Sequence, residues 1–106
     1  MSLNTPSVRV LIADDQTLFR VGLARLLEED ERVKIVGQAG DGAEAVKLAG
    51  SLKPDVVLMD LKMPNLDGIE ATRQIVAAHP GVKVLLLTTF EADNHVIHAL
   101  KAGASG

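Results

Sequence analysis

The sequence lacks several residue types that would indicate particular classes of protein. It contains no cysteine, tryptophan or tyrosine among its 106 residues, so it has neither a disulfide framework nor a thiolate site. No apolar run approaches the roughly 20 residues that a membrane-spanning helix needs. Acidic residues outnumber basic ones by 14 to 11, whereas nucleic-acid and anionic membrane surfaces select clustered Lys and Arg. We therefore expect a cytoplasmic protein that binds neither DNA nor membranes directly.

Length and hydrophobic content predict one folded domain. The chain is 47% hydrophobic and 24% charged, far from the low hydrophobicity of disordered segments. A chain of this length is too short for two cores of useful depth. Residues 1–7 have no apolar signal-peptide core and resemble an expression scar, so we place the domain at 8–106 and treat 1–7 as a tail.

Strand-like and helix-like segments alternate along the domain. Short apolar runs rich in branched residues predict strands at 8–13, 33–36, 56–59 and 82–87. Apolar residues at helical spacing lie between and after them, around residues 19–27, 45–52, 69–76 and 92–100. Because the strands are almost continuously apolar, we expect both faces of the sheet to be covered. The pattern predicts an α/β fold with a doubly wound parallel sheet.

Polar residues follow three of the predicted strands at the point where each strand ends. Asp14 and Asp15 follow the first strand, Asp60 ends the third, and Thr88 follows the fourth. The carboxyl ends of adjacent parallel strands form the usual ligand crevice of such sheets. Clustered carboxylates need a compensating cation, and hard oxygen ligands favour Mg²⁺. A carboxylate in such a site can accept a phosphoryl group as an acyl phosphate, and Asp60 is the candidate.

Some of the acidic residues have ordinary structural explanations. Asp is common after strands as a turn residue or a helix N-cap, and either Asp15 or Gln16 is expected to open the first helix. Asp67 and Gly68 are expected to form the turn and N-cap of the third helix. The glycines of 37–42, GQAGDG, are in the wrong order for a dinucleotide fingerprint, so this stretch is predicted to be a loop.

Four motifs together resemble the receiver domain of two-component response regulators. They are LIADDQ at 11–16, LMDLKMPNLDG at 58–68, LLTTF at 86–90 and KAGASG at 101–106. The segments QTLFRVGLARLLEED at 16–30 and IVGQAGDG at 35–42 are similar to the subgroup whose receivers precede a LuxR/NarL-type helix-turn-helix output domain. The resemblance implies a flavodoxin-like fold with strand order 2-1-3-4-5, in a parent protein that regulates transcription.

The resemblance also implies a role for each site residue. Asp60 matches the residue phosphorylated by a sensor histidine kinase. Asp15 matches a direct Mg²⁺ ligand and Asp14 its partner, and the main-chain carbonyl of Lys62 completes the protein ligands of the metal together with Asp60. Thr88 matches the hydroxyl that binds the new phosphoryl oxygens. Phosphorylation would then switch the domain by adding charge at one point.

The sequence departs from the receiver pattern after Gly106. The aromatic residue, the lysine, the remainder of the fifth strand and the fifth helix that the resemblance implies are absent from the 106 residues. We therefore expect a truncated sheet of order 2-1-3-4 with weakened phosphorylation. The apolar strand at 84–87 would be left as a bare edge, which favours self-association.

Two other functional classes stay open at this point. A magnesium-dependent phosphatase or phosphotransferase also uses an Asp nucleophile at a strand end, but it requires a second Asp two residues later as its general acid and base. That position holds Lys62 after Asp60 and Gln16 after Asp14, so we expect no external turnover. The other alternative is an interaction domain that has kept the fold and no longer switches.

Overall fold

Strands and helices alternate along the chain in the computed structural model, which describes residues 7–87, Gly103 and Ser105. The strands are β1 (Val8–Ala13), β2 (Val33–Ala39), β3 (Val56–Asp60) and β4 (Lys83–Leu87), and the helices are α1 (Thr17–Leu27), α2 (Gly42–Leu52) and α3 (Gly68–Ala78). All strand pairs are parallel and the order is β2-β1-β3-β4. The predicted fold class and strand order are therefore confirmed. The fourth predicted helix, around residues 92–100, lies outside the described residues.

Side chains that alternate along the central strands build a core on each face of the sheet. Leu11 and Met59 pack with apolar residues of α2 and α3 on one face. Ile12 packs with Ala24 of α1 and its neighbours on the other face. Leu11, Ile12 and Met59 have no solvent exposure, which fixes the ends of β1 and β3 firmly in the sheet.

Strand β2 is longer than the sequence predicts, and the predicted loop at 37–42 is wrong except at Gly40 and Asp41. Residues 37–39 continue β2 past a bulge, where Val10 pairs with Ile35 but Leu11 pairs with Gly37. A β-carbon on Gly37 would lie 2.6 Å from Leu52 Cδ1, so the glycine leaves room for the Leu52 side chain of α2. Asp41 then caps α2, which begins at Gly42.

The ends of the other elements agree closely with the sequence. Gln16 is the residue before α1, and Asp67 caps α3 by accepting a hydrogen bond from the Glu70 amide, as predicted. Strand β4 begins at Lys83, one residue later than expected. Within the described residues, every helix is too short or too polar to cross a bilayer.

Candidate metal centre

The pairing of β1 with β3 brings the predicted acidic residues together. Ala13 is level with Met59 in the ladder, so Asp14 and Asp60 emerge side by side at the carboxyl edge of the sheet. Carboxylate oxygens of Asp14, Asp15 and Asp60 lie within 4.8 Å of one another. The buried strands behind them hold these residues at a rigid edge, as the topology of a parallel sheet requires.

The three carboxylates differ in exposure, and in the described part of the chain none of them forms an ion pair with a basic side chain. Asp14 is buried, Asp60 is half-buried and Asp15 is exposed. The two ion pairs found among the described residues lie elsewhere and join Arg32 to Asp30 and Arg73 to Glu70. Three converging carboxylates form an all-oxygen donor set, which fits Mg²⁺.

Electrostatics around Asp60 favour a bound cation. Burial raises the pKa of the Asp60 carboxyl, a hydrogen bond from the Lys62 amide opposes this rise, and the charges of Asp14 and Asp15 raise the pKa further. Each of the two raising effects disfavours the charged carboxylate. A divalent cation between the three groups would reverse the effect of the two aspartates.

Asp14 is fixed from several sides by groups on neighbouring elements. Its amide donates to the Ala39 carbonyl at 3.0 Å, and its Oδ1 accepts a hydrogen bond from the Gln16 amide at 2.8 Å. Arg20 of α1 donates to the Asp14 carbonyl at 2.7 Å and to Gln38 Oε1 at 3.1 Å. The guanidinium therefore ties α1 to the ends of both β1 and β2, beside the acidic cluster.

The loop after Asp60 returns at once to the strand end. The Lys62 amide donates to Asp60 Oδ1 at 3.3 Å, and the Gly68 amide donates to the Leu61 carbonyl at 3.0 Å. A β-carbon on Gly68 would lie 2.1 Å from the Asp60 carbonyl oxygen. Only glycine allows this approach, so the first residue of α3 closes the loop of residues 61–67 against the site.

Asn65 of this loop and Asp41 beside it were not predicted to belong to the site. Asn65 has a φ of 68°, and its Nδ2 donates to Asp41 Oδ2 at 2.8 Å. Asp41 and Asn65 are 24 positions apart, so no local pattern in the sequence predicts their contact. The only signal is that an asparagine before Leu66, Asp67 and Gly68 is a typical turn residue. Of the predicted site residues, the structure brings the carboxylates of Asp14, Asp15 and Asp60 together. Lys62 contacts Asp60 through its amide, its carbonyl as a metal ligand stays a prediction, and Thr88 lies outside the described residues.

Fold and site together define a class of protein. A parallel α/β sheet of order 2-1-3-4 with a carboxylate trio at its carboxyl edge is the framework of a flavodoxin-like signalling domain with an acidic site. The family model described as "Response regulator receiver domain" matches residues 10–106. The chain belongs to this family.

Relatives and solved structures agree with this assignment. The chain is 48% identical over 99 residues to the response regulator GacA of Pseudomonas viridiflava, a match covering 93% of the chain and 46% of GacA. The signal receiver domain of the response regulator NarL from Mycobacterium tuberculosis superposes with a TM-score of 0.89 at 38% identity, covering 95% of this chain and 82% of that one.

A third neighbour was solved with a metal and a beryllofluoride group. The CheX–CheY–BeF₃⁻–Mg²⁺ complex from Borrelia burgdorferi matches with a TM-score of 0.83 at 28% identity, over 94% of this chain and 75% of that one. Curated relatives also include transcriptional regulatory proteins. The chain spans about half the length of the curated relatives that it matches.

Proposed function

We propose that this receiver domain accepts a phosphoryl group on Asp60 from the phosphohistidine of a sensor histidine kinase. One Asp60 carboxylate oxygen attacks the phosphorus, the P–N bond breaks, and the imidazole leaves with its electron pair. The observation that carries the proposal is the convergence of the Asp14, Asp15 and Asp60 carboxylates within 4.8 Å. The reaction depends mainly on positioning and charge neutralisation.

Asp14, Asp15, Asp60 and the main-chain carbonyl of Lys62 would hold Mg²⁺ in this proposal. The ion would neutralise the oxygens of the transferring group. Half-burial leaves Asp60 open to a donor while the buried strand behind it prevents it from moving away. Thr88 is proposed to donate a hydrogen bond from its hydroxyl to the phosphoryl group. This role is supported by the pairing of Leu87, the last residue of β4, with Asp60, because Thr88 is the next residue in the chain.

The biological output is also part of the proposal. The relatives are about twice as long as this chain, and the resemblance implies a helix-turn-helix domain in the remainder. We propose that phosphorylation of Asp60 controls such an output domain in the parent protein and hence transcription. The domain then acts as a switch that carries one phosphoryl group at a time and turns over no external substrate.

Phosphorylation of Asp60 is tested by intact mass spectrometry after incubation with acetyl phosphate. We expect one phosphoryl group to be added in Mg²⁺ and none in EDTA. The Asp60→Asn variant keeps an oxygen that can accept the Lys62 amide hydrogen bond, and it should gain no mass under either condition. An equal mass gain in both proteins would contradict the assignment of Asp60.

We further propose that the chain self-associates through the edge of β4 that faces away from β3. Alternate residues of a parallel strand form hydrogen bonds at opposite edges of that strand. The Lys83 amide donates to the Asp55 carbonyl on the side of β3, whereas the Val84 carbonyl accepts from the Ser105 amide on the outer side. Leu85 is 39% exposed beside this edge. The opposite edge of the sheet, β2, is interrupted by its bulge, which discourages pairing there.

Light scattering at tens of micromolar protein checks the self-association. We expect a mass above that of the monomer, and Leu85→Lys should restore the monomer because a charge at an apolar edge disfavours strand pairing. Lys34→Glu on β2 is the matched control and should leave the mass unchanged. A wild-type chain that is monomeric at this concentration would contradict the proposal.

A further inference from the structure

Asp41 makes hydrogen bonds in two directions at the carboxyl edge of the sheet. Its Oδ1 accepts from the Glu44 amide at 2.7 Å and so caps α2. Its Oδ2 accepts from Asn65 Nδ2 at 2.8 Å, in the loop that follows Asp60. Both contacts lower the pKa of Asp41, the Glu44 amide more strongly than Asn65. One side chain therefore joins the start of α2 to the loop of residues 61–67.

Backbone packing beside this contact leaves little freedom in how the two segments meet. A β-carbon on Gly42 would lie 1.8 Å from the Leu66 carbonyl oxygen, so the first turn of α2 lies directly against the loop. Glu44 extends the arrangement, because its Oε1 accepts a hydrogen bond from the Gly40 amide at 2.7 Å. The loop is thus held at Asn65 by Asp41, at Leu66 by the packing of Gly42, and at its end by the hydrogen bond from the Gly68 amide to the Leu61 carbonyl.

We infer that Asn65 is a positioning residue for the metal centre and acts through its hydrogen bond to Asp41. The inference rests on the proposed function, in which the Lys62 carbonyl is a Mg²⁺ ligand. Lys62 lies three residues before Asn65, between that anchor and Asp60. Anchoring Asn65 to Asp41 restricts the backbone of the loop that carries the Lys62 carbonyl, and so limits the positions that this carbonyl can take. Groups that orient metal ligands in this way typically change metal affinity by about 10–100-fold.

The Asn65→Gly variant distinguishes the effect of the hydrogen bond to Asp41 from the effect of the backbone conformation at residue 65. Glycine adopts the φ of 68° more easily than asparagine, so the loop can keep its shape while it loses the amide. We expect Mg²⁺ binding, measured by calorimetric titration with MgCl₂ alone, to weaken about tenfold. The melting temperature in EDTA should change little, because glycine suits this position.

A reversed pair, in which Asp41 and Asn65 exchange side chains, tests whether their hydrogen bond is responsible for the change in Mg²⁺ affinity. Asn65→Asp places two carboxylates against each other and should weaken Mg²⁺ binding, although its added charge by itself would favour the cation. The double variant Asp41→Asn/Asn65→Asp has the net charge of the wild type. Its new asparagine can cap α2 through its oxygen and donate its amide to the new aspartate. We expect this pair to restore wild-type affinity to within about threefold, below the tenfold effect of losing the bond.

The outcomes distinguish this inference from the proposed function. If the wild type binds no Mg²⁺, the proposed metal centre fails. If the wild type binds Mg²⁺ and Asn65→Gly binds it equally well, the positioning role of Asn65 is overturned and the metal centre stands. The inference is also overturned if Asn65→Gly is weakened but the reversed pair stays as weak as Asn65→Asp.

Discussion

Replacing Gly68 with alanine is expected to destabilise the folded protein by about 3 kcal/mol, the upper end of the usual range for an overpacked site. The added β-carbon would lie 2.1 Å from the Asp60 carbonyl oxygen and 2.8 Å from Leu61 Cα. Both contacts are with backbone, which cannot turn aside as a flexible side chain can. Relief requires α3 to move away from the end of β3, so packing is lost on both sides of the loop.

Urea unfolding followed by far-ultraviolet circular dichroism measures this effect, since the chain has no tryptophan to report it. Gly22→Ala is the matched control, because Gly22 lies inside α1 and a β-carbon there meets no atom within 4 Å. Alanine should stabilise that helix by about 0.5–1 kcal/mol. Equal unfolding midpoints for Gly68→Ala and the wild type would show that the close approach is not required.

The sequence predicts the parts of this site that depend on local pattern and on the geometry of parallel sheets. Asp14, Asp15 and Asp60 each end an apolar run, and adjacent parallel strands must present such ends at one edge. Asp67 likewise precedes a helical repeat, as an N-cap does. These residues could be placed without knowledge of any tertiary contact, because strand order alone decides that they meet.

Other features depend on contacts between distant residues and have no local signal. The contact between Asn65 and Asp41 joins two turn-forming residues, and each has a sufficient local explanation by itself. Gly37 looks like part of a loop, and its place in β2 comes from its pairing with Leu11 of β1. Gly68 looks like an ordinary turn glycine until its distance to the Asp60 carbonyl is known. Backbone approach is decided by tertiary packing, which glycine permits but does not specify.

Mg²⁺ is expected to stabilise the fold strongly if the carboxylate trio holds the ion. A ligand that binds only the folded state at 100 times its Kd adds about 2.7 kcal/mol. For a domain of this size that corresponds to a rise in Tm of about 10 °C or more. Thermal unfolding in MgCl₂ and in EDTA measures the shift. Asp60→Asn removes one charged ligand and should reduce the shift, and an unchanged Tm in the wild type at saturating Mg²⁺ would contradict the metal centre.

In EDTA the Asp60→Asn variant should be more stable than the wild type. Burial and the two neighbouring aspartates raise the pKa of Asp60 above its ordinary value of 3.8, so the folded state takes up this proton more readily than the unfolded chain. Its contribution to stability is fully present below pH 3.8 and is lost as the pH rises through the folded-state pKa. At neutral pH without metal, Asp60→Asn should therefore melt above the wild type, and this difference should shrink as the pH falls toward 4. If the difference in melting temperature between the two proteins does not depend on pH, the charge of Asp60 does not destabilise the metal-free protein, and the cation has no such repulsion to relieve.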